Sequence, residues 1–219
     1  MKKKMNIAVI SPHADDVEIA MGGTVALLTS QGHNVTIVTS ILPNENINGK
    51  IDSYMNKKRK QEQLNAAKAL GAKVEILGLD KNEFKFNRKF IKIFDDKIKQ
   101  LKPSIIFSCW EHDTHQDHQS LAKIIFSVTR KNNISLYMYE AMLPGGINTQ
   151  AFNPQLFINV TKTMNKKIKA LKCYKSVFIR KKNNYSNYFE SIIGRARFRG
   201  GMIGQKYAES FVVVKQLKL

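Results

Sequence analysis

A chain of 219 residues, 43% hydrophobic and 24% charged, has the length for one sizeable core and the make-up of a globular protein. No uninterrupted apolar run approaches the roughly 18–20 residues of a membrane span, which excludes a transmembrane helix. Thirty-six lysines and arginines against 17 acidic residues leave a formal charge of +19, a value that admits nucleic acid, anionic lipid or an anionic substrate as partner.

The amino-terminal Lys2-Lys3-Lys4 looks like the head of a signal peptide, but the apolar stretch Ile7 to Ile10 is too short to continue one. The cytoplasm is the expected location. Met5 to Ile10 reads as the first strand. Val17 to Ser30 reads as a helix despite Gly22-Gly23; glycines cost about 1 kcal/mol each inside a helix, so the pair predicts close backbone approach to a neighbouring strand. Gln31 to Asn34 is a turn that places His33 at the surface, and Val35 to Thr39 is the second strand. Met55 to Leu70 forms a helix ended by Gly71, followed by a strand over Lys73 to Leu77. An amphipathic helix over Phe86 to Leu101 stops near Pro103. Ser104 to Cys109 is the fourth strand, Asp117 to Arg130 a helix, and Ser135 to Tyr139 the fifth strand. Beyond Leu143-Pro144-Gly145-Gly146 the alternation weakens, with a strand at Phe157 to Val160, a helix at Thr163 to Tyr174 and a late strand at Phe211 to Val214.

Strand and helix alternate through the first 140 residues or so, and repeats, low-complexity tracts and linkers are absent. The expectation is one α/β domain over residues 1–219, Rossmann-like, in three α/β/α layers around a mostly parallel sheet. Right-handed crossovers then bring the ends of the first and fourth strands to one edge. The basic groups are scattered: Lys57-Lys58-Arg59-Lys60, Lys166-Lys167, Arg180-Lys181-Lys182 and Arg195 to Arg199. No RNP-type motif, finger or long basic arm accompanies them, so no nucleic acid is expected. They read as solvated helix faces, with an anionic substrate or surface as the functional alternative. Cys109 is expected as a buried thiol and Cys173 as a packing residue, since no second cysteine stands at ligand spacing.

Two clusters carry the chemistry: Ser11-Pro12-His13-Ala14-Asp15-Asp16 and Asp113-Thr114-His115-Gln116-Asp117-His118. Each follows a buried strand, and in an open α/β sheet such loops converge on one crevice. Four of the five histidines lie in or beside them. A mononuclear metal site with an open position needs about three protein ligands. His13 and Asp16 have the spacing for a tight loop to turn both to one point, with Asp15 free to take a proton from water. His115 and His118, three residues apart at a helix start, both face the crevice. One completes the metal shell; the other handles protons or steadies an oxyanion.

His13-Ala14-Asp15-Asp16 followed by Gly22-Gly23, then Arg59 and Glu62 before Leu70-Gly71, then His115-Gln116-Asp117-His118, resembles the PIG-L/LmbE-like N-acetylglucosamine deacetylase family. Lys167 to Ser176 resembles that family's lysine–alanine–tyrosine helix, and Arg199-Gly200 through Ala208-Glu209-Ser210-Phe211 its closing segment. The resemblance implies a metal-dependent hydrolase that removes an acetyl group from a glucosamine-type sugar. By the same resemblance His13, Asp16 and His118 bind Zn²⁺, with Fe²⁺ as the cellular alternative, and Asp15 is the general base. His115 polarises the amide carbonyl or protonates the leaving amine, with Asp117 as its orienter. Arg59 holds sugar hydroxyls, against its other reading as part of the solvated Lys57–Lys60 run.

The family more often has Ala-His-Pro-Asp-Asp, whereas here Pro12 precedes His13 and Ala14 follows it; Gln116 replaces the usual proline. These swaps suggest a side branch with its own substrate, shaped by Glu140 and the Leu143–Gly146 loop. Asp80, after the third strand, has the place to reach the sugar, but is read as a turn cap and left out of the site. The expected partner is a small amino sugar, free or glycosidic, or anionic through a nucleotide or lipid, and a homo-oligomer is left open. The competing readings are an amidase or esterase on a non-sugar N-acyl compound, and a basic nucleic-acid- or membrane-surface-binding protein with a vestigial site.

Overall fold

The computed structural model describes residues 3–41, 46–47, 50–51, 53–141, 150–178 and 185–217. The strands that were expected to be buried on both faces are so. β1 (Asn6–Ser11) has all but its first residue buried, and β6 (Ile105–Cys109) and β7 (Ser135–Tyr139) are buried throughout. Near-continuous apolar runs of this kind are what a parallel sheet covered on both sides requires.

The remaining elements in chain order are α1 (Asp16–Ser30), β2 (Asn34–Ile41), a short antiparallel pair β3 (Asn46–Ile47) and β4 (Lys50–Ile51), α2 (Ser53–Leu70), β5 (Lys73–Leu79), α3 (Arg88–Leu101), α4 (Gln116–Thr129), β8 (Leu156–Asn159), α5 (Met164–Leu171), α6 (Lys175–Phe178), α7 (Tyr185–Gly201) and β9 (Ala208–Lys215). The main sheet has the order β5-β2-β1-β6-β7-β9-β8. The first five strands run parallel, and β9 is antiparallel to both β7 and β8. Helices α1, α2 and α5 pack together, and α3 packs with α4; the crossovers set these groups on opposite faces. α3 illustrates the code: Phe90, Phe94 and Ile98 form its buried stripe, and Asn87 caps it by accepting from Phe90 N at 3.0 Å.

The strand order reverses between β1 and β6, since the chain leaves β1 toward β2 on one side and returns to β6 on the other. Their carboxyl ends are therefore neighbours, with Val9 paired to Phe107, and a crevice opens at this switch point.

Gly22-Gly23 marks a break. Met21 leaves helical geometry at φ −142° and ψ 25°. The backbone groups freed by the kink find partners elsewhere: Glu209 of β9 accepts from Gly23 N (3.0 Å) and Thr24 N (2.6 Å), while Lys167 Nζ and Arg195 Nη2 donate to Ile19 O. The close approach predicted for the glycines is to Val160, just past β8, and to α5. A Cβ on Gly23 would lie 2.8 Å from Val160 Cβ, and one on Gly22 3.2 Å from Lys167 Cγ.

The structure corrects several expectations at the carboxyl end. α7 was not expected; it buries Ile192, Ala196 and Gly200, a stripe of mostly small residues with little hydrophobic signal. The helix expected over Thr163 to Tyr174 is α5 and stops at Leu171, with the short α6 following beyond Tyr174, and the last strand begins at Ala208 rather than Phe211. His33 is buried rather than at the surface, its Nδ1 accepting from Met5 N at 3.3 Å. Lys2, Arg180-Lys181-Lys182 and the Leu143–Gly146 loop lie outside the described residues. Among the described residues no helix is long and apolar enough to cross a membrane.

Candidate active site

The first cluster is a tight turn between β1 and α1. Ser11 Oγ donates to His13 O (3.0 Å), and His13 N donates to Asp16 Oδ2 (2.9 Å). Asp15 stands at the N-cap of α1 with φ 89° and makes no side-chain cap bond. This is left-handed backbone that a non-glycine residue adopts at a cost, and aspartate tolerates it better than most. The Asp15 carboxylate is thereby turned from the helix toward α2, where Arg59 Nη1 lies 3.8 Å from Oδ2. Arg59 is half-buried beside this carboxylate, while its neighbours Lys57 and Lys60 are exposed. Glu62, one turn further along α2, accepts from the Ser176 backbone N (2.9 Å) and hydroxyl and ties α2 to α6.

The second cluster follows β6. Cys109 is buried, its thiol donating to His118 O at 3.2 Å. Asp113 organises the turn: Oδ1 accepts from His115 N (2.8 Å), Oδ2 lies 2.9 Å from His118 Nδ1, and its carbonyl accepts from Gln119 Nε2 (2.7 Å). His115 caps α4, its Nδ1 accepting from Asp117 N at 3.1 Å. That bond places the proton of the neutral ring on Nε2. With Nδ1 of His115 so engaged, the Asp117 carboxylate is 3.9 Å from it but 2.9 Å from His13 Nε2. Asp117 thus bonds the other cluster rather than its near neighbour.

The two clusters meet. Ring centroids of His13 and His115 are 4.7 Å apart, and those of His115 and His118 5.0 Å. Asp16 Oδ2 lies 3.4 Å from His13 Nδ1 and 3.4 Å from His118 Nε2. Tetrahedral ligands at zinc distances are separated by about 3.4 Å. The ligand atoms of His13, Asp16 and His118 fall within 4.8 Å of one another, as do those of His13, His115 and Asp117. In the first group each imidazole has its remaining nitrogen against a carboxylate, Asp117 for His13 and Asp113 for His118. That is the arrangement by which metal-binding histidines are usually oriented. This donor set fits a divalent ion. Asp113 had no role in the sequence reading; the signal was a carboxylate five residues before a ligand-type histidine, across a helix start.

The electrostatics follow from the same contacts. Burial and the Asp16 charge push the Asp15 carboxyl up to about 7, against the pull of Arg59 and His13. Burial would raise Asp16 too, but the charges of His118 and His13 outweigh it and hold this carboxyl well below the usual range. Burial opposes protonation of His13 and His118; the carboxylates around them prevail and raise the rings to about 9 and about 10. His115 goes the other way, lowered by burial and by the nearby His13 and His118 charges.

Several residues stay outside the constellation. His112 is half-buried beside Glu111 at 3.7 Å. Asp80 caps an exposed turn, accepting from Asn82 N at 2.8 Å. Glu140, at the end of β7, is engaged by both Arg199 (2.6 and 3.0 Å) and Ser210 (3.1 Å).

A profile of the family PIG-L: GlcNAc-PI de-N-acetylase matches residues 8–129, from within β1 to the end of α4 and across both clusters. The probable N-acetyl-alpha-D-glucosaminyl L-malate deacetylase 2 of Bacillus cereus is 27% identical over 184 residues, covering 78% of this chain and 83% of its own. The diacetylchitobiose deacetylase of Thermococcus kodakarensis is 24% identical over 221 residues, covering 93% and 80%. The solved structure of N,N'-diacetylchitobiose deacetylase from Pyrococcus horikoshii shares the fold, with a TM-score of 0.83 at 20% identity over 97% of this chain and 85% of that one. Sequence match, fold and paired clusters agree: the chain belongs to the PIG-L: GlcNAc-PI de-N-acetylase family.

Proposed function

We propose that this protein is a metal-dependent hydrolase that removes the N-acetyl group from a GlcNAc-type sugar or sugar conjugate. The observation that carries the reading is the convergence of His13, Asp16 and His118 on one point, with the Asp15 carboxyl close enough to feel the charges of all three. The names of the Bacillus and Thermococcus relatives, both amino-sugar deacetylases, support the substrate class. His13, Asp16 and His118 would hold Zn²⁺, and the same donors accept Fe²⁺. The bound ion supplies Lewis acidity, which brings the pKa of water near 7 and polarises a carbonyl.

The chain's own groups do the rest. Asp15, adjacent in the chain to the ligand Asp16, takes the proton of the attacking water, whose oxygen bonds to the acetyl carbon. The neutral His115 ring presents Nε2–H to the amide oxygen as charge gathers there. The C–N bond breaks, a proton passes to the sugar nitrogen, and acetate and free amine leave. Asp117 and Asp113 keep His13 and His118 in their rings' working orientation. Arg59, fixed beside Asp15, would hold sugar hydroxyls. An anionic conjugate, nucleotide- or lipid-linked, suits a chain of net charge +19. The free thiols of Cys109 and Cys173 favour the cytoplasm as its place of action.

The test is acetate release from a panel of GlcNAc conjugates and non-sugar N-acetyl compounds, with chelator and with zinc restored. The reading expects release from the sugars only, lost with chelator and regained with zinc. Equal release from non-sugar amides would make the protein a general amidase.

A further inference from the structure

One exposed apolar surface has no part in the proposed reaction. It is a knuckle where α7 ends and the chain turns into β9, with Phe198 64% exposed, Met202 53% and Ile203 37%. The turn is held firmly. Gln205 N and Ile203 N both donate to Gly200 O, at 2.9 and 3.0 Å. A Cβ on Gly200 would lie 2.6 Å from Gln205 O and 2.8 Å from Tyr207 Cα, so the backbone folds back on the helix end more tightly than any side chain there allows.

Cations frame the knuckle. Arg197 to Tyr207 contains Arg197, Arg199 and Lys206 and no acidic residue. Arg197 and Lys206 both lie over the Tyr207 ring, at 5.8 and 5.6 Å. Tyr207 N donates to Thr161 Oγ1 at 3.2 Å, which brings the exposed Lys162 to the same flank. Glu140, the carboxylate bonded to this segment among the described residues, has both oxygens engaged by Arg199.

We propose that the knuckle docks the protein on an anionic lipid bilayer. Phe198, Met202 and Ile203 enter the interfacial layer, and Arg197, Lys206 and Lys162 meet the headgroup charge. Two arguments favour a bilayer over a second copy of the chain. The three side chains expose on the order of 300 Å², against the roughly 800 Å² per partner of a stable interface. A two-fold contact through this patch would also set its cations against their own copies. The position adds a consequence. β9 runs antiparallel to β7, so the turn before it stands at the sheet's carboxyl edge, where both histidine clusters lie. Docking there brings the crevice edge to the bilayer surface, within reach of a lipid-linked amino sugar; that consequence rests on the proposed function, while the docking does not.

The test is cosedimentation of the full chain with phosphatidylcholine vesicles and with vesicles that also contain phosphatidylglycerol, at low and physiological salt. Binding is expected to the mixed vesicles only and to weaken with salt. Phe198→Ser/Met202→Ser/Ile203→Ser should weaken it at least about tenfold, and Arg197→Ala or Lys206→Ala about fivefold each. Hydrolysis of a water-soluble GlcNAc conjugate should be unchanged in all of them; if even the unaltered protein lacks that hydrolysis, the function fails and the docking result still stands. Circular dichroism checks folding, and Met202→Ser alone, in the exposed turn, replaces the triple variant if that does not fold. No binding to mixed vesicles, or equal binding by the variants, overturns the proposal. A dimer in light scattering that the same substitutions abolish also overturns it, by giving the knuckle to a second copy.

Discussion

The Asp113 carboxylate lies 2.9 Å from Nδ1 of His118, and the other nitrogen of that ring is 3.4 Å from Asp16 Oδ2. Asp117 mirrors this for His13, 2.9 Å from Nε2, while Nδ1 is 3.4 Å from the same Asp16 oxygen. The donor set is thus oriented before any ion arrives, by two carboxylates of the second cluster, Asp113 in the loop after β6 and Asp117 in the first turn of α4.

Asp113→Ala should therefore weaken zinc binding about 10- to 100-fold, read by competition with a chromogenic chelator. Asp113→Asn, which keeps an acceptor for Nδ1–H, should cost less. Unchanged affinity in the alanine variant would mean that His118 needs no orienting partner.

The protonation of these rings gives a pH signature. His13 and His118 rise from 6.5 to about 9 and about 10 in the folded, metal-free protein. A folded-state pKa above the unfolded one contributes stability that is complete below pH 6.5 and lost as pH climbs through the folded value. Asp15, raised from 3.8 to about 7, acts in the same sense at lower pH. The Tm of chelator-treated protein should fall between pH 6.5 and about 9. Zinc requires deprotonated imidazoles, so its stabilisation should grow over the same range. A flat metal-free Tm would contradict the assignment.

Lys167 and Glu209 form a buried pair at 2.6 Å, both nearly inaccessible, and Glu209 also satisfies the kink in α1. Glu209→Gln leaves the ammonium without its counter-charge and should cost about 3–5 kcal/mol in denaturant unfolding. Adding Lys167→Met should recover part of the loss, because the unpaired charge is then gone. A double variant no more stable than the single one would show that the capping of Gly23 and Thr24, not the charge, is what Glu209 contributes.

Gly23→Ala tests the close approach to Val160, where the new methyl would sit 2.8 Å from Cβ. A loss of about 1–3 kcal/mol in denaturant unfolding is expected. Wild-type stability in Gly23→Ala would mean that the β8–α5 connection yields freely.

The strands of the parallel half were legible because both-face burial writes itself as unbroken apolar runs, as in Ile7 to Ile10. The clusters were legible because ligand-type residues are costly to gather without a use. α7 was not, since its buried stripe of Ile192, Ala196 and Gly200 offers little periodic contrast, and its place depends on Arg195 and Arg199 reaching the end of β7. The partner of Asp117 was also hidden. Sequence proximity pointed to His115, but the backbone N–H of Asp117 already occupies that ring, and His13, 104 residues away, takes the carboxylate. Likewise nothing local marks Glu209 as the cap of a helix 185 residues earlier.

The most direct test of the account is Asp15→Asn, assayed for acetate release from a GlcNAc conjugate alongside bound zinc per chain. The substitution spares His13, Asp16 and His118. Zinc content should stay at that of the unaltered protein while the rate falls about 10²- to 10⁴-fold, the usual contribution of a general base. Full activity with zinc in place would contradict the assignment of Asp15 as the base.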